Sequence, residues 1–190
     1  QFSISRPRDS GYQTFRRIAK IRTVRVVLVL AVGSFFMSHG LMAWTPSVLH
    51  ERGMTLSQAG WWSAAGTAAG VIGLIFLPLA GRYVSRVLML RILFVVSATS
   101  NLGLITLRGP ALIGALVLSN IARAPLMPLL ILILMETPGV GSVFMGAAAG
   151  LFFSAAEIGG VGGPLVLGVT RDISGSLDFG VLALVAVALV

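Results

Sequence analysis

The chain has 190 residues, of which 56% are apolar and only 11% charged, and a mean hydropathy of +0.97, well outside the range of soluble domains. It reads as an integral membrane protein, and its 14 Lys and Arg against 6 Asp and Glu, a net +8, describe membrane topology rather than nucleic-acid binding. The absence of cysteine excludes disulfides, thiolate metal sites and a Cys nucleophile, and two histidines alone make no zinc site; no cofactor is expected.

Residues 1–25 form a basic arm holding half of all the cations: Arg6, Arg8, Arg16, Arg17, Lys20, Arg22 and Arg25. The first apolar run is too long for the roughly 7–15 residues of a signal-peptide core and has no small-x-small cleavage site. Because a spanning segment follows directly, the arm reads as the remnant of a loop that anchors at lipid headgroups. Runs of about 20 apolar residues then place spans at about 26–48, 58–80, 87–107, 111–135, 144–169 and 179–190. The last run falls short of a full span and the chain starts at Gln1, so a fragment of a longer chain is expected.

Connections between spans are short, with no room for a soluble domain: His50 to Gly53, Gly81 to Arg86, Arg108 to Pro110, Thr137 to Gly139 and Arg171 to Asp178. The arm and the second connection with the start of the third span carry ten Lys and Arg, against three (Arg52, Arg108, Arg171) on the other side. The positive-inside rule puts the arm in the cytoplasm; a multi-pass protein of a prokaryotic cytoplasmic membrane is expected.

The remaining cation, Arg123, falls in the middle of the fourth span, where an Arg costs roughly 2.5–3.5 kcal/mol even on insertion scales. Asn120 lies one turn earlier on the same face, and Pro125 and Pro128 remove backbone donors just after it. That combination predicts a kinked, polar-faced helix lining a wet cavity; the alternative is a structural ion pair or a snorkelling side chain. Glu157 in the fifth span is either a protonatable lone carboxylate or the counter-charge of Arg123. His39, mid-way along the first span, either binds substrate and relays protons or is satisfied by a neighbouring helix. Trp44, Trp61 and Trp62 read as interface anchors and Asn101 as interhelical glue. Gly66-x-x-x-Gly70 with Gly73, Gly146-x-x-x-Gly150 and Gly159-x-x-x-Gly163 predict close helix contacts.

The stretch from Gly159 to Ser176, GGVGGPLVLGVTRDISGS, resembles the eleventh span and following loop of major facilitator superfamily transporters, commonly GGxxGPxxxGxxxDxTGS. Gly159, Gly160, Gly163, Pro164, Gly168, Asp172, Gly175 and Ser176 match, with Ser174 in place of Thr. The second connection, GRYVSR, is similar to that family's cytoplasmic loop motif: Gly81, Arg82 and Arg86 fit, while Ser85 stands where an Asp is common. Glu136-Thr137-Pro138 and Trp44-x-Pro46 resemble the cyanate/nitrate-permease-like branch. The resemblance covers the chain from about Val24 and implies an all-α polytopic protein, the C-terminal six-helix half of a twelve-helix fold truncated in its last helix. Its partners would be the missing N-terminal half or a second copy, the lipid bilayer and a small-molecule substrate. The resemblance also assigns His39, Trp44, Asn120 and Arg123 to the cavity side and sets Glu157 beside it, with two halves rocking around a midplane site.

The function these features imply is secondary transport of a small organic or inorganic anion by alternating access, with Arg123 binding the anion bidentately and Glu157 or His39 coupling protons. The alternatives are an efflux carrier for amphipathic compounds and a non-transporting assembly partner. An intramembrane serine protease is disfavoured, because no GxSG element occurs. No phosphate-cradling loop is present, so transport would run on gradients rather than ATP.

Overall fold

In the computed structural model, which describes residues 11–81 and 83–189, every regular element among the described residues is an α-helix. Arg6 and Arg8 of the arm, Arg82 of the loop motif and Val190 lie outside the described residues. The helices are α1 (Gly11–Ala19), α2 (Arg22–Glu51), α3 (Leu56–Ala80), α4 (Arg86–Thr106), α5 (Gly109–Arg123), α6 (Leu126–Glu136), α7 (Gly141–Ser174) and α8 (Asp178–Leu189). Five stretches are long and apolar enough to cross a bilayer, with α5 and α6 counted as one from Gly109 to Glu136, whereas α8 has 12 residues. Side chains such as Val29, Ile75, Val161 and Leu165 point out of the bundle uncovered, as lipid solvent allows. The chain is a multi-pass helical membrane protein.

The arm departs from the expected loop remnant. Residues 11–19 are helical, and Arg22 to Arg25 already belong to α2. The cause is a single apolar anchor: Ile18 is buried, and Arg17 stacks over the Phe144 ring at 5.6 Å, which draws α1 onto the start of α7 while its other cations stay exposed.

The α2–α7 pair is the most extensive packing in the molecule, and the glycines of the 159–176 stretch are the reason. A Cβ at Gly159 would overlap the Val32 carbonyl oxygen, and one at Gly163 would overlap the Phe36 carbonyl oxygen and stand 3.0 Å from the Gly40 nitrogen. The two backbones touch directly, a close approach that only small residues permit. Gly66, Gly70 and Gly73 make the corresponding seam from α3 onto α5: a Cβ at Gly70 would meet Ala124 Cβ at 3.2 Å, and Gly73 sits against the Ile121 carbonyl oxygen, which loses its i+4 donor because that residue is Pro125. The Gly146–Gly150 repeat differs from expectation. Gly146 has nothing within 4 Å and Gly150 meets only Phe15 Cε1 at 3.9 Å, since this part of α7 faces outward and toward α1.

The helix ends are closed by local chemistry. Ser85 caps α4 by accepting from the Leu88 N–H at 3.3 Å, which gives the residue standing in the Asp position a role of its own. Gly175 ends α7 in the left-handed region at φ +72° with its N–H on the Arg171 carbonyl at 2.8 Å. At the end of the bundle away from the arm, Arg52 pairs with Asp178, Arg171 with Glu51 at 3.5 Å, and the Leu177 N–H donates to Glu51 at 3.1 Å. At the arm end Arg86 pairs with Glu136.

Candidate functional site

The helix expected around Arg123 is interrupted there. α5 ends at Arg123 and α6 starts at Leu126, because Pro125 supplies no N–H to continue the ladder. The break lies near the middle of the membrane-length stretch and opens a cavity of about 320 Å³ bounded by α2, α3, α5 and α6, to which Arg123, Asn120, His39, Ser38, Ser63 and Thr67 contribute.

Arg123 is 9% exposed and held by three bonds. Its Nε donates to Ser119 Oγ at 3.3 Å, Nη1 to the Ser38 carbonyl of α2 at 3.3 Å, and Nη2 to Asn120 Oδ1 at 3.0 Å. Ser119 Oγ in turn donates to Asn101 Oδ1 of α4 at 2.7 Å, so one buried polar chain runs from α4 through α5 to α2. Asn101 is thereby an interhelical tie, as its sequence setting suggests, although its Nδ2 is buried with no partner. A guanidinium has five N–H donors; with three used, one remains on each terminal nitrogen. Among the described residues no carboxylate lies within ion-pair distance of Arg123. Of the two readings of Glu157, the counter-charge of Arg123 is therefore not the one the structure adopts.

Glu157 instead is exposed on α7, one turn from outward-facing Val161. Its carboxylate and the His39 ring flank the same glycine: a Cβ on Gly160 would lie 2.5 Å from His39 Nδ1 and 2.9 Å from Glu157 Oε2. His39 lines the cavity on its other side and packs on the Phe35 ring with centroids 5.0 Å apart. Among the described residues its nitrogens make no hydrogen bond, so the expected satisfaction by a neighbouring helix is not met by a polar partner.

Of the residues assigned to the substrate side, Trp44 lies elsewhere and Asn120 is engaged by its own neighbours. Trp44 stands outside the cavity wall, its Nε1 donating to the Pro164 carbonyl at 3.0 Å, its ring over Gly168 and under the Arg171 guanidinium at 5.4 Å; the indole locks α2 to α7. Asn120 lines the cavity, but its Oδ1 accepts from Arg123 and its Nδ2 donates to the Leu116 carbonyl at 2.9 Å, which makes it a positioning residue. Gly159, Gly160, Gly163, Pro164 and Gly168 belong to the α2–α7 seam. Asp172 is exposed near the end of α7, in no ion pair among the described residues, and Gly81 lies in the turn after α3.

Sequence reasoning missed Ser119, Ser63 and Thr67. Ser119 sits four residues before Arg123 and Ser63 four before Thr67, spacings that place each pair on one helix face. Among the described residues no group of three or more His, Asp or Glu could hold a metal. No family model matches this sequence, and a search for similar curated proteins found no match.

Proposed function

We propose that this chain is a substrate-binding unit of a secondary transporter for small anions, with Arg123 as the residue that binds the anion. The observation that carries this reading is a guanidinium nine-tenths buried near the middle of a membrane-length stretch, lining a cavity with two N–H groups unspent and, among the described residues, no carboxylate in ion-pair reach. A purely structural arginine at that depth needs an opposite charge or a full set of acceptors. An anion entering the cavity supplies both. The two free protons of Arg123 sit one on each terminal nitrogen, and a guanidinium presents such donors to two oxygens of one anion.

Three features support translocation rather than storage. The glycine seams bring α2 to α7 and α3 to α5 backbone to backbone, the close small-residue packing of membrane helices. The α5–α6 helix is interrupted beside the cavity, a setting in which irregular backbone at membrane depth is tolerated. The resemblance of the 159–176 stretch to the major facilitator superfamily points to the same mechanism, with the chain forming one six-helix half that a second half or a second copy completes and with the arm in the cytoplasm. Glu157, exposed on an otherwise apolar helix face, belongs under such a cover. His39, between the anion cavity and Glu157, is the group through which a proton couples to anion movement.

The test is ligand-induced stabilisation of the purified chain in lipid nanodiscs. Nitrate and a series of short carboxylates are added to the native protein, Arg123→Ala and Arg123→Lys. At least one anion raises the unfolding midpoint of the native protein, less that of Arg123→Lys, which lacks the fork, and not that of Arg123→Ala. Equal responses in all three overturn the assignment.

A further inference from the structure

The polar groups around the cavity differ once their hydrogen bonds are counted. A serine or threonine hydroxyl has one proton and two lone pairs. Three hydroxyls of the wall spend that proton on a carbonyl one turn back on their own helix: Thr45 on Leu41 at 2.5 Å, Ser63 on Ala59 at 2.6 Å and Thr67 on Ser63 at 3.0 Å. What these oxygens have left for a ligand is lone pairs. Asn120 accepts from Arg123 and spends one of its two Nδ2 protons on Leu116, which leaves one amide proton beside the two free guanidinium protons of Arg123 on α5. Ser34, Ser38 and His39 of α2 line the cavity with no side-chain hydrogen bond among the described residues. The cavity is therefore polarised, with free donors on α5 and on the Ser34–His39 part of α2, and acceptors on α3 and on Thr45 of α2. Phe35, Met42 and Met127 add apolar wall.

An unprotonated inorganic oxyanion such as nitrate accepts at every oxygen. It satisfies Arg123 but sets lone pairs against the lone pairs of Ser63 and Thr67, unless those side chains give up their helix bonds. A carboxylate that carries its own hydroxyl has no such conflict: its oxygens take the two guanidinium donors, its hydroxyl donates to α3, and its carbon skeleton meets the apolar wall. The volume of about 320 Å³ has room for a short acid.

We infer that the cavity selects a small hydroxycarboxylate over an unprotonated inorganic oxyanion, with Ser63 and Thr67 as the residues that read the hydroxyl. This inference rests on the anion reading of Arg123. It is tested by calorimetric titration of the full chain in nanodiscs with L-lactate, with propionate, which has the same skeleton without the hydroxyl, and with nitrate. Lactate binds about tenfold more tightly than propionate, the worth of one good hydrogen bond, and nitrate binds most weakly. The double variant Ser63→Ala with Thr67→Val brings the lactate-to-propionate ratio close to one, while Thr67→Ser, which keeps a hydroxyl, keeps the ratio. Equal affinities for lactate and propionate in the native protein overturn the inference and leave the anion reading standing, as does tighter binding of nitrate than of lactate. No binding of any of the three overturns the anion reading and the inference with it.

Discussion

Replacing Gly163 with Ala tests whether α2 and α7 meet backbone to backbone. The new Cβ would overlap the Phe36 carbonyl oxygen and approach the Gly40 nitrogen to 3.0 Å. Neither obstacle is the tip of a flexible side chain, so no rotamer change relieves it and the two helices must part. Overpacking of this kind costs about 1–3 kcal/mol, and rigid obstacles put the cost in the upper half of that range. The better helix propensity of Ala returns up to about 1 kcal/mol, leaving a net loss of about 1–2 kcal/mol. Gly146→Ala is the matched control, because a Cβ there meets nothing within 4 Å and only the propensity gain operates. The assay is detergent-induced unfolding of the native protein and both variants, followed by loss of helical circular dichroism. Gly163→Ala should unfold at lower denaturing detergent than the native protein and Gly146→Ala at the same or higher. Coincident curves for the two variants would refute the seam as the reason for these glycines.

Ser119→Ala removes the shared partner of Arg123 and Asn101 and should destabilise by about 1–3 kcal/mol; adding Asn101→Leu should recover part of that loss in a double-mutant cycle, and strict additivity would contradict a connected chain. Trp44→Phe forfeits the bond to Pro164 at about 0.5–1.5 kcal/mol, yet the anion-induced shift in unfolding midpoint should match that of the native protein; an abolished shift would place the indole in the cavity after all. Glu136→Gln breaks the ion pair with Arg86, whose side chains are 36% and 48% exposed, and solvent screening predicts an unfolding midpoint unchanged at physiological salt. A clear drop there would show that the pair is coupled to the bundle.

Much of this architecture is legible in the order of residues. Hydropathy alone locates the five membrane-length helices to within a few residues, because in a bilayer each span must satisfy its own backbone and be apolar over its own length. The break after Arg123 is equally local, since Pro125 lacks the donor wherever the helix packs. The arm was harder. Its cations suggest a solvated loop, and one buried residue, Ile18, makes it a docked helix.

Which polar groups meet is a different matter. Arg123 and Glu157 both fall near the middle of their spans, and charge alone leaves open whether they pair. The structure separates them because the glycine seam fixes the rotation of α7 against α2, turning Glu157 toward Gly160 and His39 while Arg123 reaches Ser38 on α2. The same seam takes Trp44 out of the cavity and ties it to Pro164. Likewise the Gly-x-x-x-Gly pattern occurs in two tight seams and at Gly146–Gly150 where nothing packs. By itself, then, the sequence determined the spans, their break and the presence of an intramembrane cation, because these follow from windows of about 20 residues in a low-dielectric solvent. The partners of that cation, and the donor and acceptor poles of the cavity around it, were decided only by tertiary structure, because they depend on the rotation and depth at which helices distant in the chain come into contact.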